Sequence, residues 1–170
     1  TQDNNSLERK FNACFMDDNY SESKSTYKPC SASSTPIVCM SNDAVIDYFL
    51  LGLVPFWPSS DKARNFTMNT KIESFAEKAV VNTVVKKRCL IIADGLYEWE
   101  WPEAKGGQEQ KYLITLPNNE PFVFGGIWSA VTNNETGEVQ NTYTIVTTEA
   151  NEFKSEVHPD KKRMPVILTK

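Results

Sequence analysis

The sequence is poor in the residues that build metal sites and disulfide frameworks. It contains one histidine, His158, and four cysteines in 170 residues. The cysteines form no Cys-x-x-Cys pair, and a single histidine cannot complete the common Cys/His zinc sets. They are also too sparse for a disulfide scaffold. We therefore expect no metal and no cofactor, and we expect reduced, mostly buried thiols at Cys14, Cys30, Cys39 and Cys89.

Long apolar runs and an excess of positive charge are also missing. No stretch approaches the roughly 18 apolar residues that a membrane-spanning helix needs, so we expect no membrane partner. Lys and Arg number 18 against 22 Asp and Glu, which gives a net charge of −4 and no global field that would attract nucleic acid. Any surface for nucleic acid must therefore be local. With reduced cysteines and no signal peptide, we expect a cytoplasmic protein.

Short apolar runs separated by turn residues predict the fold. Hydrophobic residues make up 40% of the chain, which suits one domain with a real core over residues 1–170. A short helix is expected over residues 5–11, capped by Asn5 or Ser6, and residues 72–85 have helical spacing. The strand-like runs are residues 36–40, 88–93, 112–116, 122–128, 141–148 and 163–168. This pattern favours an α+β fold: one mostly antiparallel, barrel-like sheet with a few short peripheral helices.

Two of the apolar stretches each carry a titratable residue that a strand does not need. Residues 157–168 contain His158, and residues 88–99 contain Glu98 between Tyr97 and Trp99. Because neighbours in a strand point to opposite faces, Glu98 faces a different environment from its aromatic neighbours. A histidine and such a carboxylate suit acid–base chemistry. The alternatives are a packed or surface histidine and a solvent-exposed glutamate on an edge strand.

Six stretches, taken in order, resemble the motifs of one known family. They are LGLVPFW (51–57), NTKIES (69–74), RCLIIADGLYEW (88–99), GGIW (125–128), TTEAN (147–151) and VHPDKKRMPVIL (157–168). Together they resemble the SOS-response-associated peptidase family, or SRAP domain. The resemblance covers about residues 48–168, and six motifs in the right order are hard to produce by chance.

The resemblance implies a protein that senses abasic sites in single-stranded DNA. In that family a cysteine exposed by removal of the initiator Met attacks the ring-opened sugar aldehyde. Its α-amine and thiol then form a thiazolidine, a stable DNA–protein crosslink, and the peptidase label refers mainly to the removal of that Met. The chain starts without Met and stops directly after a strand-like run. We expect that the extreme N-terminus, with the nucleophilic cysteine a few residues before Thr1, and part of the C-terminus are missing.

Three residues match the catalytic positions of the family: Asn69, Glu98 and His158. The Asn69 amide can donate and accept at once, which suits it to orienting the α-amine of the nucleophile. Glu98 would shuttle the protons needed to open the sugar ring and form an imine. His158 would give a proton to a leaving oxygen or bind the adjacent phosphate, and Pro159 restricts its backbone to extended conformations.

Three further residues match DNA-binding positions: Trp57, Lys71 and Arg163. Lys71 stands where the family has Arg, and loses the bidentate fork of a guanidinium. Three extra residues separate His158 from Arg163, and Leu51 replaces a family Trp. Trp57 would stack on a base or wedge at the gap left by the missing base, with core packing as the alternative.

Two other functions remain open at this stage. The chain could be a module that binds single-stranded or gapped DNA without covalent chemistry. It could also be a conventional cysteine hydrolase that uses Cys89 and His158, although Cys89 lies in an apolar strand, where burial makes a thiol inert. We expect a monomer whose partner is single-stranded DNA with abasic sites, associated with the nucleoid when bound.

Overall fold

The strand-like runs of the sequence form two β-sheets. A computed structural model describes residues 3–16, 34–54, 64, 66–75, 84–100, 110–132, 136–150 and 163–168. The described residues contain one α-helix, α1 (Asn4–Phe11), and two 3-10 turns, Ile72–Phe75 and Pro117–Asn119. Their strands are β1 (Cys14–Phe15), β2 (Ser34–Cys39), β3 (Asn42–Leu51), β4 (Asn69–Lys71), β5 (Arg88–Ala93), β6 (Leu96–Glu100), β7 (Gln110–Ile114), β8 (Phe122–Thr132), β9 (Val139–Glu149), β10 (Arg163–Pro165) and β11 (Ile167–Leu168).

Five strands close into a barrel in the order β3-β2-β5-β8-β9. The neighbours in this order pair antiparallel. The barrel closes because the end of β3 pairs in parallel with β9, with Leu50 opposite Thr142 and Leu51 opposite Tyr143. The α+β, barrel-like fold predicted from the sequence is therefore confirmed. No helix in the described ranges is long and apolar enough to cross a membrane.

Because side chains alternate along each strand, one set points into the barrel and the other lies on its outer face. One cluster of buried side chains takes residues from all five barrel strands and so fills the interior: Ile37, Phe49, Cys89, Ile91, Phe122, Phe124 and Tyr143. Their strand neighbours, such as Val38, Ile92 and Val123, join a second cluster against which Leu7 and Phe11 of α1 pack. The helix therefore covers the outer face of the barrel.

The N-terminus of α1 differs from the prediction. The cap is Asp3, whose carboxylate accepts a hydrogen bond from the Ser6 N–H at 2.8 Å, so the predicted cap at Asn5 or Ser6 is wrong. Asp3 precedes both predicted caps and satisfies an N–H of the first turn, so the helix begins at Asn4, earlier than predicted. The predicted common face of Leu7 and Phe11 is confirmed, since both pack against the second cluster.

A second, two-stranded sheet stands beside the barrel. β6 and β7 pair antiparallel, with Glu98 opposite Tyr112. Leu96, at the start of β6, packs against the core of the barrel. Gly95 precedes it, and a Cβ there would lie 2.9 Å from Leu113 Cδ1 and 3.1 Å from Ile114 O, so a larger residue would require neighbouring atoms of the hairpin to shift. The hairpin thus leaves the barrel directly after β5.

Beyond the barrel, β9 has two short partners. β4 pairs with it in parallel on one side, with Lys71 opposite Thr147. β10 pairs with it antiparallel on the other side, with Arg163 opposite Glu149. After β10 the chain continues along β8. Gly125 N–H donates to Val166 O at 2.9 Å, and β11 pairs with β8. The end of β9 therefore brings together two segments that are about ninety residues apart in the chain.

Candidate functional site

Arg163, at the start of β10, is held by contacts to two other segments. Its Nε donates to Thr147 Oγ1 at 3.2 Å, and its Nη2 donates to Thr147 O at 2.7 Å. The same Nη2 donates to Glu73 Oε2 at 2.8 Å. Nη1 has no hydrogen-bond partner among the residues that the structure describes. The Arg163 side chain is 28% exposed. Its guanidinium is therefore held along the Nε–Nη2 edge, and Nη1 can donate to a ligand.

Asn69 and Lys71 lie on β4, beside Arg163's anchor on β9. Lys71 is the register partner of Thr147, and Asn69 is that of Ile145. Because side chains alternate along a strand, Asn69 and Lys71 share one exposed face while Thr70 is buried on the other. The Thr147 hydroxyl donates to Thr70 O at 3.2 Å while it accepts from Arg163. This hydroxyl thus ties the strand of Lys71 to the strand of Arg163.

The charged residues around the end of β9 are two cations, Lys71 and Arg163, and two carboxylates, Glu73 and Glu149. Glu73 follows β4, and its pKa is lowered by a hydrogen bond from its own backbone N–H, by the hydrogen bond from Arg163, and by the charges of Arg163 and Lys71. Lys71 forms no ion pair with a residue in the described ranges. Two cationic side chains therefore lie at the end of β9 in a chain whose net charge is −4, and each can bind an anion such as a phosphate.

Glu98 lies elsewhere, on the two-stranded sheet. It is only 8% exposed, which makes it the one carboxylate among the buried polar side chains of the described residues. Tyr97, its neighbour in β6, is half-buried, as the alternation of a strand predicts. The prediction that Glu98 is not a solvent-facing glutamate is confirmed, and its catalytic role stays a prediction. Charged groups that are buried are usually paired or serve chemistry.

The structure brings some of the six predicted site residues together. Asn69, Lys71 and Arg163 lie around the same end of β9, whereas Glu98 lies on the other sheet. His158 and Trp57 fall outside the described residues, so the convergence of Asn69, Glu98 and His158 stays a prediction.

Two residues of the site had no role in the sequence-based interpretation. Glu73 and Thr147 both lie inside motifs that carry the family resemblance, yet neither was assigned a contact. The available signal was the presence of a carboxylate and a hydroxyl in motifs that also held predicted site residues. The hydrogen bonds from Arg163 show that both contact its guanidinium, and these bonds depend on how β4 and β10 pair with β9.

Cys89 cannot serve as a nucleophile. It is 2% exposed in the barrel core, directly opposite Cys39 of β2. Burial, and to a smaller extent the neighbouring Cys39, raises the pKa of its thiol far above the ordinary value. The thiolate that a cysteine hydrolase needs is therefore not formed at neutral pH, and the hydrolase alternative is wrong for Cys89. In the described ranges, no three His, Cys, Asp or Glu side chains are grouped as metal ligands would be.

Comparison with known proteins gives a consistent result. The sequence profile described as "SOS response associated peptidase (SRAP)" matches residues 1–170. Abasic site processing protein YoaM of Bacillus subtilis is 36% identical over 118 residues, covering 69% of this chain and 49% of YoaM. Abasic site processing protein HMCES of Gallus gallus is 30% identical over 151 residues, covering 75% of this chain and 43% of HMCES. The chain thus spans about half the length of these relatives.

Solved structures resemble the fold as well. A crystal structure of a protein from Bacteroides thetaiotaomicron has a TM-score of 0.69 and 32% identity, covering 81% of this chain and 59% of that one. A protein from Bordetella bronchiseptica has a TM-score of 0.76 over 99% of this chain and 81% of that one. At 20% identity the second likeness shows the fold alone.

Proposed function

This chain belongs to the SOS response associated peptidase (SRAP) family, and we propose that it processes abasic sites in single-stranded DNA. The relatives YoaM and HMCES are named for abasic site processing. The observation that carries the proposal is the convergence of Lys71 and Arg163 on the end of β9, next to Asn69, in a chain of net charge −4. Two partly exposed cationic side chains at one end of β9 can bind an anionic ligand, and a DNA backbone supplies one.

The DNA backbone would lie across the end of β9. Arg163 presents Nη1 to a phosphate, and Lys71 adds a second cation from the neighbouring strand. Contacts to phosphates fix the position of a strand without reading its sequence, which suits a protein that must find a missing base in any context. Trp57 is proposed to fill or flank the gap where the base is missing.

The proposed chemistry needs a cysteine at the mature N-terminus, upstream of Thr1. Its α-amine attacks the aldehyde carbon of the ring-opened sugar, and water leaves to give an imine. The thiol then adds to the imine carbon, its proton passes to the nitrogen, and a thiazolidine ring closes. Exposure of this cysteine requires hydrolysis of the preceding Met–Cys peptide bond, which we assign to the same site.

Three side chains are proposed to serve these steps. Asn69, exposed on β4, orients the α-amine through its amide. Glu98, withdrawn from water on β6, exchanges the protons of ring opening and imine formation. His158 is proposed to protonate the leaving sugar oxygen or to bind the adjacent phosphate.

A crosslinking assay tests this mechanism. We expect a version with Met-Cys placed a few residues upstream of Thr1 to form a heat-stable band with a single-stranded abasic oligonucleotide on a denaturing gel. A matched version that begins at Thr1 should give none, because only an N-terminal cysteine is a 1,2-aminothiol. The internal thiols at Cys14, Cys30, Cys39 and Cys89 cannot replace it.

Three outcomes would contradict the mechanism. A stable band from the version that begins at Thr1 would show that the N-terminal cysteine is not the nucleophile. Binding without any band from the version with Met-Cys would leave a module that only binds DNA. A band that disappears when Cys89 is replaced by Ser would restore the buried thiol as the reactive group.

A further inference from the structure

We propose that Glu73 is a positioning residue: together with Thr147 it holds the Arg163 guanidinium in the orientation that leaves Nη1 for a DNA phosphate. The inference rests on the proposed function, since it assumes that Arg163 contacts DNA. It adds a carboxylate to a site whose ligand is an anion. Such a group should repel the ligand, so its presence needs a physical reason.

The geometry supplies that reason. Thr147 accepts from Nε and Nη2, and Glu73 Oε2 accepts from Nη2 at 2.8 Å. These contacts use the three hydrogens on two of the guanidinium nitrogens. Because the guanidinium is planar, acceptors on two sides fix its plane and its rotation. The hydrogens on Nη1 are then presented in one direction.

Stability does not explain the contact. The Glu73 side chain is 52% exposed and that of Arg163 is 28% exposed. Ion pairs this accessible to water contribute little to folding. Preorganisation of a flexible arginine is a different benefit, because a side chain that is already ordered loses less conformational entropy when a phosphate arrives. The contact therefore serves binding geometry.

A double-mutant cycle tests the proposal. We would measure the Kd of a fluorescent single-stranded oligonucleotide that carries a tetrahydrofuran abasic analogue, which cannot crosslink. Glu73→Ala should weaken binding about two- to fivefold, the range that exposed pairs give in such cycles. Glu73→Gln keeps an acceptor oxygen and should bind within about twofold of the parent. In an Arg163→Ala background, Glu73→Ala should cause no weakening.

Glu149 offers the matched control. It is an exposed carboxylate on β9 and the register partner of Arg163, but it accepts no hydrogen bond from the guanidinium, which donates to Thr147 and Glu73. Glu149→Ala removes a nearby negative charge without removing an acceptor, so it should not weaken binding. If Glu73→Ala tightens binding in both backgrounds, Glu73 is only a repelling charge, and if it leaves binding unchanged, Glu73 has no effect on DNA; either result overturns the proposal.

A measurement without DNA separates this proposal from the proposed function. The ¹⁵Nε–H signal of Arg163 reports the order of the side chain. Its order parameter should fall in Glu73→Ala and stay near the parent value in Glu73→Gln and Glu149→Ala. An unchanged order parameter in Glu73→Ala would overturn positioning even if DNA binds. If the parent does not bind the oligonucleotide, the proposed function fails, and the NMR comparison still decides whether Glu73 orders Arg163.

Discussion

Thr142 and Thr147 lie on the same strand, β9, but their hydroxyls have different partners. Thr142 is fully buried, and its hydroxyl accepts from Val54 N–H at 3.0 Å and donates to Ser129 O at 3.4 Å. Thr147, five residues later, is half-buried, and its hydroxyl accepts from Arg163 Nε. The first hydroxyl satisfies backbone groups inside the protein. The second orients a charged side chain at the surface, so one strand provides both the scaffold and the candidate site.

The partners of β9 explain the difference. Around Thr142 the strand lies between β8 and β3, two long strands of the barrel. Around Thr147 it lies between β4 and β10, which have three residues each. Long partners bury the strand on both edges and leave no room for ligands. Short partners satisfy the backbone but leave their side chains exposed, which is the condition that a binding site needs.

The largest effect that we expect is a difference in the free energy of unfolding between Thr142→Val and Thr147→Val. Thr142→Val removes the acceptor of a buried N–H, so the free energy of unfolding should fall by about 1 to 3 kcal/mol. Thr147→Val should cost less, because the two hydrogen bonds of its hydroxyl, to Thr70 O and from Arg163 Nε, are only partly buried, whereas those of Thr142 are buried. Chemical denaturation of both variants measures the difference. Equal losses would mean that the end of β9 is as structural as its middle.

The barrel strands could be predicted because each one is a short apolar run that is visible in the local sequence. Apolar runs at residues 88–93 and 163–168 indicated strands, and β5, β10 and β11 occupy these positions. The sequence did not predict the parallel pairings of β1 with β3 and of β4 with β9. Strands of two or three residues carry no periodicity, and their partners are distant in the chain, so only the folded barrel selects them. The 3-10 turn Ile72–Phe75 replaces the start of the helix predicted over residues 72–85.

The candidate site was predictable only where a motif carried it. The family resemblance pointed to Lys71 and Arg163, and the structure places both around the end of β9. Glu73 and Thr147 were not assigned, because a glutamate and a threonine are common surface residues whose contacts depend on register. Alternation predicted only that Glu98 faces a different environment from its aromatic neighbours, and the structure shows that this environment is buried.

The second effect concerns binding rather than stability. With about three phosphate contacts, binding to single-stranded DNA should have a log–log salt slope near roughly −2. Arg163→Ala removes one contact, so the slope should become less negative by about 0.7 and the affinity should fall. Stability should change less than in Thr142→Val, because the contacts of Arg163 are exposed or only partly buried, whereas those of Thr142 are buried. An unchanged slope and affinity would remove Arg163 from the DNA site.

Arg163→Lys sharpens the same measurement. It keeps the positive charge but cannot bond Thr147 and Glu73 through a planar fork. We expect the salt slope of the parent with a weaker affinity. If Arg163→Lys binds as tightly as the parent, charge alone matters and the orientation of the guanidinium does not.

The smallest expected effect is the titration of Glu73. Its pKa lies below the ordinary value of 4.5, so the folded protein binds fewer protons at this carboxyl than the unfolded chain does. The contribution to stability is therefore present above the unfolded pKa and is lost as the pH falls through the lowered pKa. Arg163→Ala removes one hydrogen bond and one attracting charge, so the pKa of Glu73 should rise toward 4.5.

The pKa of Glu73 should rise only part of the way to 4.5 in Arg163→Ala, and the size of the rise measures how much Arg163 contributes to the lowering. The bond from the backbone N–H of Glu73, which is the largest cause of the lowering, survives in Arg163→Ala, as does the charge of Lys71. Lys71→Ala should give a smaller rise, because Lys71 acts only through its charge. The ¹³C shift of the Glu73 carboxyl, followed from pH 2 to 6 in the parent and both variants, measures each value. If Arg163→Ala leaves the titration where it was, the 2.8 Å contact does not persist in solution, and the end of β9 offers DNA an arginine that nothing holds in place.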